Sequence, residues 1–207
     1  IAVFDVITER KQAEEALKTS LSITLQRERE TSALLAAARA VIECHTFTES
    51  ARRIFDTCRE ATGAVSGYVA LLSESGEENE VLFLEAGGLP CDVDPSLPMP
   101  IRGLRAEAYC RGEVVYENDF MNSEWVRFIP SGHAEMRNVM FAPLTIDGKV
   151  TGVIGLANKP EDFTKDDARI VRALGDLSAI ALRRIRIEET LRESELKYRS
   201  LIECSSD

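Results

Sequence analysis

The spacing of apolar and polar residues divides the chain into two long helical segments and a central region of short strands and loops. Apolar residues recur at steps of about three and four over 8–40 and 166–201, which is typical of amphipathic helices. Another helix is predicted over 49–62, where Gly63 supplies a stop. The remaining predicted elements are strands over 65–72, 81–84, 114–116, 138–146 and 149–157, a short helix over 103–111, and a strand end over 1–6.

The clearest local signal is a β-hairpin around the Asp-Gly pair at 147–148. Apolar runs over 138–146 and 149–157 flank this pair, and the favoured two-residue turn needs a positive φ at both central residues, which Asp-Gly tolerates. Gly152 and Gly155 keep the second strand thin. We therefore expect a helix or a ligand to pack closely against it.

The last predicted helix begins with a capping box, in which Thr164 and Asp167 are spaced to satisfy each other's backbone N–H groups. Its apolar positions form two series that are one residue out of phase. The first series is Ile170, Leu174, Leu177 and Ala181, and the second is Ile187, Leu191, Ser194, Tyr198 and Leu201. The pattern predicts a seam between two identical helices with a register break at 183–186. The alternative, docking of the helix on its own domain, suits the first series only.

The composition disfavours several functional classes. The 207 residues carry a net charge of −10 and a pI near 4.9, and such a surface repels nucleic-acid phosphates. No apolar run approaches the roughly 18 residues of a membrane span. The five cysteines form no C-x-x-C pair, and His45 and His133 stand at no zinc-finger spacing. We expect reduced thiols, a cytoplasmic location and no metal site; since no methionine precedes Ile1, we expect a piece of a longer protein.

Arg102, Arg105 and Tyr109 are candidate ligand-binding residues, because all three are predicted to share one face at the start of a helix. Two cations at a helix N-terminus oppose the helix dipole, and a bound anion would explain them. A ligand there is expected to carry a carboxylate or a phosphate. In the alternative interpretation the two arginines are neutralised by an acidic side chain of the chain itself, Asp92, Asp94 or Glu107.

A second candidate segment opens with Ser131, Gly132 and His133 and closes with Arg137 and Asn138, and it is predicted to be another short helix. Its free backbone N–H groups are expected to face a pocket. His133 is suited to donate a hydrogen bond to a ligand or to ligate haem iron. The alternative for His133 is an ordinary surface histidine.

Aromatic and sulfur-containing side chains complete the set of candidates. Phe120, Trp125 and Phe128 form either an aromatic lid over a ligand or a local core under an irregular loop. Cys91 and Cys110 flank the predicted pocket loop and would sense oxidation if their pKa were lowered, whereas the preferred interpretation is two buried, inert thiols. No paired nucleophile and base, metal-ligand set, GxxxxGK or GxGxxG occurs, so we predict that this stretch of chain is not an enzyme.

The segment 65–182 resembles a GAF domain. Its hairpin, FAPLTIDGKVTGVIGLANK over 141–159, is similar to the central hairpin of that family. Four residues resemble a signature of the cyclic-nucleotide-binding branch: Asn158, Lys159, Phe163 and Asp167. Ala168 occupies the last acidic position of that signature, and we interpret the four residues as structural bracing in which Lys159 pairs with Asp167. The segments 97–109 and 117–125 resemble a subgroup found in prokaryotic multidomain sensors.

The flanks resemble parts of PAS domains, with 5–17 similar to a final strand that runs into a linker helix and 193–207 similar to the start of a following domain. This resemblance implies five parts: the end of a PAS domain over 1–7, a linker helix over 8–30, a GAF domain over 31–183, a linker helix over 184–196 and the start of a PAS domain over 197–207. Parent proteins of this layout are usually sensor histidine kinases and less often cyclic-dinucleotide enzymes.

The family implies an α+β fold, with an antiparallel sheet of about six strands, helices on one face and a ligand pocket under loops on the other. It also implies a homodimer through the flanking helices and a non-catalytic sensory role, in which a small and in this case anionic ligand changes the signal sent to an output domain. Two alternatives stay open: a ligand-free dimerisation and relay module, and a haem- or thiol-based redox sensor. The cofactor is therefore unknown, and haem and a small metabolite are the two candidates. A covalent bilin is disfavoured because no cysteine shortly precedes His133.

Overall fold

A computed structural model describes residues 2–94 and 97–204 of the chain. Four helices and five strands make up this structure, together with two short 3₁₀ helices at Phe120–Asn122 and Glu124–Phe128. In chain order the elements are α1 (Ala2–Glu43), α2 (Phe47–Thr62), β1 (Ser66–Leu72), β2 (Asn79–Glu85), α3 (Leu104–Arg111), β3 (Val115–Glu117), β4 (Val139–Ile146), β5 (Lys149–Ala157) and α4 (Lys165–Cys204).

The strands form one antiparallel sheet in the order β2-β1-β5-β4-β3. The α+β class and the antiparallel sheet with packed helices are as predicted, and the part of the chain that is described contributes five strands to the sheet. Helices α1, α2 and α4 cover one face, where Phe55, Ile154 and Leu174 are fully buried. A smaller apolar cluster on the opposite face includes Leu104 of α3 and Phe141 of β4. The sheet therefore separates a large helical core from a smaller face covered by α3 and loops.

The predicted hairpin joins β4 to β5. Asp147 and Gly148 have φ values of 49° and 78°, as the two-residue turn requires. Pro143 lies beyond the residues of β4 that pair with β3, which are Val139 to Phe141, and such an edge position accepts a proline. On the helical face, a Cβ added to Gly175 of α4 would lie 3.2 Å from the carbonyl oxygen of Pro143, so α4 approaches β4 closely.

Helix α4 begins with the predicted capping box, since the Asp167 backbone N–H donates to Thr164 Oγ1 over 3.1 Å and the Thr164 N–H donates to Asp167 Oδ2 over 2.7 Å. Its core-facing apolar residues are buried or half-buried on the domain up to Ile185, while Ile180 is 55% exposed. Beyond that point Leu191 and Tyr198 are 60% and 67% exposed. The first apolar series therefore docks on the chain's own domain, and the second leaves it.

Helix α1 corrects two details of the sequence-based prediction. Residues 2–6 lie in the helix, in place of the predicted strand end, because none of the described strands pairs with this segment and strong helix formers follow it directly. The helix also continues past the predicted end at residue 40 and ends at Glu43. Among the described residues, no helix has a stretch long and apolar enough to cross a membrane.

Arginine side chains of α4 tie it to α1. The Arg184 guanidinium donates hydrogen bonds to three backbone carbonyl oxygens at the end of α1, those of Val41 at 2.6 Å, Ile42 at 3.0 Å and Cys44 at 2.5 Å. Carbonyl groups at a helix C-terminus lack helical partners and attract cations. Near the other end of the contact, Arg169 binds both carboxylate oxygens of Glu30, at 2.6 and 3.0 Å. The entering and leaving helices are therefore attached to each other as well as to the sheet.

Candidate ligand-binding site

A cavity of about 160 Å³ lies on the face of the sheet opposite the three long helices. Strands β1, β4 and β5 form its floor. Its walls are the end of β2 with the loop that follows it, the loop before α3, helix α3 and the loop before β4. The polar and charged lining residues are Ser66, Tyr68, Glu85, Cys91, Arg105, His133 and Asn158; the larger apolar ones are Leu84, Leu89, Met99, Met136, Val139, Phe141 and Leu156. The cavity is smaller than the about 300 Å³ at which pockets for drug-sized molecules begin, so its size suits a small metabolite.

Two aromatic rings lean over the thin strand β5. Tyr68 of β1 and Phe141 of β4 have ring centroids 6.3 Å apart and planes tilted by 57°. A Cβ added to Gly155 would lie 2.8 Å from the Tyr68 ring and 3.1 Å from the Phe141 ring. Strand β5 is therefore closely packed at Gly155, but side chains of the neighbouring strands contact it there, in place of the predicted helix or ligand.

Arg105 is the cationic side chain of the cavity lining. It follows the first residue of α3, which begins at Leu104, and its Nη1 donates to Tyr68 Oη over 2.9 Å. Its Nη2 donates to the carbonyl oxygen of Pro100 over 2.5 Å, while its Nε is buried and has no hydrogen-bond partner among the described residues. Both acceptors are neutral, so the hydrogen bonds orient the guanidinium without balancing its charge.

Tyr109 stands behind Arg105, one turn further along α3. Its hydroxyl donates to Asn79 Oδ1 over 2.5 Å. Burial raises the pKa of Tyr109 above its usual range, the neighbouring Tyr68 raises it further, and Arg105 lowers it to a smaller extent. The phenol therefore remains a neutral donor, and it fixes the start of β2 against α3.

Asn158 forms the opposite end of the cavity, where β5 ends. Its backbone has a φ of 58°, a left-handed conformation that asparagine tolerates better than most residues. The side chain accepts a hydrogen bond from the Arg137 N–H over 2.9 Å, and it donates to the Glu135 carbonyl over 3.2 Å and to Ser66 Oγ over 3.4 Å. Asn158 thereby attaches the loop before β4 to β1.

The next residue, Lys159, connects this end of the cavity to the start of α4. Its Nζ lies 2.6 Å from Asp167 Oδ2, and each side chain is 11% exposed. The same carboxylate oxygen accepts hydrogen bonds from the Thr164 N–H and hydroxyl, at 2.7 and 2.8 Å. The predicted Lys159–Asp167 pair is thus present, and Phe163 beside it is 2% exposed. These residues brace the junction between β5 and α4.

Comparison with protein families decides the classification, since a family model described as GAF domain matches residues 44–183. The chain belongs to the GAF family. A search of curated proteins found no match. The GAF domain of a phosphoenolpyruvate-protein phosphotransferase from Acinetobacter superposes with a TM-score of 0.64 at 16% identity, over 76% of this chain and 94% of that chain.

Two further solved structures share this GAF fold. The free methionine-R-sulfoxide reductase of Neisseria meningitidis, solved with its substrate, superposes with a TM-score of 0.64 at 18% identity, over 77% of this chain and 91% of that one. The GAF domain of a putative sensor histidine kinase from Pseudomonas syringae pv. tomato gives a TM-score of 0.57 at 14% identity, over 84% of this chain and 99% of that one. At these identities the likeness establishes the fold alone.

The GAF domain brings together only some of the residues proposed from sequence. Arg105 and His133 line the cavity, whereas Tyr109 is outside the lining and donates its hydrogen bond to Asn79 of β2. Arg102 does not share their helix face, because Gly103 with a φ of 66° precedes the first turn of α3 and leaves Arg102 exposed. The alternative partner Glu107 pairs with Arg111, at 2.6 Å.

The loop from Ser131 to Asn138 is not helical, because Pro130 and a left-handed Gly132 (φ 82°) interrupt it and Asn138 is drawn into the core. The Asn138 side chain donates to the carbonyl oxygens of Lys159 and Glu161, at 3.0 and 2.7 Å. Arg137 extends outward, 3.4 Å from Asp162 Oδ1. Asn138 and Arg137 therefore hold the β5–α4 connection and do not line the cavity.

The remaining candidates have separate surroundings. Trp125 is half-buried and stacks on Phe128, with ring centroids 6.4 Å apart, outside the cavity lining. His133 is exposed, and its Nδ1 lies 2.8 Å from the Ala134 carbonyl oxygen. Its Nε2 is therefore the ring nitrogen that can contact other groups. Among the residues that the structure describes, no three His, Cys, Asp or Glu side chains are grouped as a metal site.

The cysteines also differ from the preferred interpretation. Cys91 and Cys110 are exposed, not buried, because the loop after β2 and the last turn of α3 place them at the surface. Cys44 and Cys58 are buried, and burial raises the pKa of the Cys58 thiol. Cys91 lines the cavity, in keeping with its predicted place beside the pocket loop, whereas Cys110 does not.

Proposed function

We propose that this GAF domain is a sensory module that binds a small molecule in the cavity above β1, β4 and β5 and passes the binding event to α4. The observation that carries the proposal is the continuous connection from the cavity to the leaving helix. Asn158 lines the cavity, Lys159 follows it in the chain, and Lys159 pairs with Asp167 in the first turn of α4. A ligand that shifts the end of β5 would therefore shift the start of α4.

The attachment of α4 to α1 extends this connection through the domain. Because Arg184 holds the end of α1 and Arg169 holds Glu30, a displacement of α4 moves the entering helix as well. We infer that the module lies between other domains of a longer sensor protein, with PAS units on both sides and a histidine kinase as the preferred output. The similarity of the fold to a GAF domain of a putative sensor histidine kinase supports the kinase output, and the PAS units rest on the sequence resemblance of the flanks.

Ligand binding is tested by heating the protein with a panel of metabolites and by mass spectrometry of small molecules that co-purify with it. A ligand of the cavity is expected to raise the melting temperature by an amount that follows mass action. Hydrogen exchange should then slow in 158–167 and in the first turns of α4. The proposal is wrong if a bound compound protects the cavity loops but leaves exchange along α4 unchanged.

A second candidate function, a dimerisation and relay module, is favoured by exposed apolar side chains on the long helices. Leu21, Leu35 and Ile42 of α1 are 57%, 54% and 74% exposed, and they fall on one heptad position, whose intervening residue is the polar Glu28. Ile187 and Leu191 of α4 are 58% and 60% exposed. Because apolar residues at heptad spacing pair with a like helix, we propose a homodimer through these helices.

Molecular mass in solution tests the homodimer. Wild type is expected to have twice the chain mass, and the double variant Ile187→Glu with Leu191→Glu is expected to be a monomer because it places charges in the apolar seam. Arg192→Glu, next to the seam, serves as the control and should remain dimeric. If wild type is a monomer, the homodimer proposal is wrong, and the signal can be carried only within one chain.

A further inference from the structure

We propose that the ligand class is a small aromatic monocarboxylate, with its carboxylate on Arg105 and its ring between the apolar walls of the cavity. This inference rests on the proposed sensory function and specifies the chemistry of the same cavity. The first part of the argument is charge. Arg105 lines the cavity, and the salt bridges among the described residues do not include it. A guanidinium carries five N–H donors, of which two are used here, both by neutral oxygen atoms.

The position of the guanidinium is fixed before any ligand arrives. Tyr68 Oη and the Pro100 carbonyl hold its two terminal nitrogens from β1 and from the loop before α3. A pre-positioned guanidinium forms strong charge-assisted hydrogen bonds with carboxylates, and partial burial of the guanidinium strengthens these bonds. The group that Arg105 lacks is therefore an anionic acceptor.

Glu85, the acidic residue of the lining, bears on whether the ligand is a monocarboxylate or an amino acid. Glu85 lines the cavity, but its Oε2 lies 3.9 Å from an Arg52 nitrogen and its Oε1 accepts a hydrogen bond from the Gly87 N–H over 3.4 Å. Its charge is thus already matched by a cation outside the cavity. An α-ammonium group would find no unmatched carboxylate in the lining, so a zwitterionic amino acid is disfavoured.

The rest of the lining selects the body of the ligand. The rings of Tyr68 and Phe141 lie over the Gly155 gap, and the thioethers of Met99 and Met136 complete the walls. Aromatic rings favour edge-to-face and offset contacts with other rings, and methionine sulfur also contacts them favourably. A flat ring therefore fits these walls better than a polar body such as a sugar or a phosphate ester.

Three matched probes test the class by isothermal titration with the whole chain: phenylacetate, phenylacetamide and L-phenylalanine. We expect phenylacetate to bind at least about tenfold more tightly than either of the others, because only it combines the carboxylate with no second charge. Equal or tighter binding of phenylacetamide would show that Arg105 does not select an anion. Tighter binding of phenylalanine would show that Glu85 accepts an ammonium group.

Variants locate the carboxylate. Arg105→Gln is expected to lose at least about tenfold in phenylacetate affinity, whereas Arg102→Gln, an exposed neighbour outside the lining, should change it less than twofold. Since the loss of Arg105 also frees Tyr68 and Pro100, the comparison of the three probes on wild type stands independently of these variants. If none of the three probes binds, the aromatic monocarboxylate class is wrong; discovery of another metabolite by mass spectrometry would then leave the sensory function standing.

Discussion

Asp167→Ala is expected to lower the free energy of unfolding by about 3 kcal/mol, the largest loss that we predict for a single polar side chain of this domain. The substitution leaves the Lys159 ammonium, which is 11% exposed, without its counter-ion. It also removes the acceptor for the Thr164 N–H at the start of α4. A buried charge that loses its partner costs more than the pair contributes when intact, because the remaining charge stays out of water.

Chemical denaturation of Asp167→Ala beside Asp166→Ala provides the measurement and its matched control. Asp166 is the preceding residue of the same helix turn, is exposed, and pairs on the surface with Arg169 at 3.3 Å. Its loss should leave stability close to that of wild type. The double variant Lys159→Met with Asp167→Ala should recover part of the loss, since it no longer buries an unpaired ammonium. Equal stability of Asp167→Ala and Asp166→Ala would contradict the bracing role of the pair.

The part of this site that the sequence predicts correctly depends on residues near one another in the chain. The Thr164–Asp167 capping box and the Asp-Gly turn at 147–148 are both present, because each needs only a few consecutive residues with suitable backbone conformations. The pairing of Lys159 with Asp167 can likewise be predicted from the sequence, since a short connection joins the two residues. Local interactions of this kind keep their geometry in any fold that accommodates them.

The cavity lining depends on contacts between distant segments, and here the predictions were incomplete. The sequence predicts Arg105 and His133 as ligand-binding residues, and both line the cavity. It does not predict Tyr68, although Tyr68 alternates with buried Val69 along β1 and therefore lies on the opposite face of the sheet. Met99 belongs to a loop whose path is set by tertiary packing, and no periodic pattern marks it. Arg102 was grouped with Arg105 by helix spacing, whereas the left-handed Gly103 begins the helix after it.

Arg184→Ala is expected to lower the free energy of unfolding by about 2 kcal/mol and to loosen the end of α1. The guanidinium supplies hydrogen bonds to the carbonyl oxygens of Val41, Ile42 and Cys44, and those at Val41 and Cys44 are partly buried. Without Arg184 these carbonyls lose both their donor and a cation at the negative end of the helix dipole. Hydrogen exchange should then increase in the last two turns of α1, while exchange in β4 and β5 stays as in wild type.

The neighbouring residue again offers a control. Arg183 pairs at 3.4 Å with Asp147 in the hairpin turn, and the two side chains are 58% and 70% exposed. Arg183→Ala should therefore change stability by less than about 0.5 kcal/mol. Arg184→Lys should recover part of the loss, because an ammonium keeps the charge but cannot reach the three carbonyls with a planar fork. If ligand binding still slows exchange at the end of α1 in Arg184→Ala to the same extent as in wild type, this arginine is not the connection through which α4 moves α1.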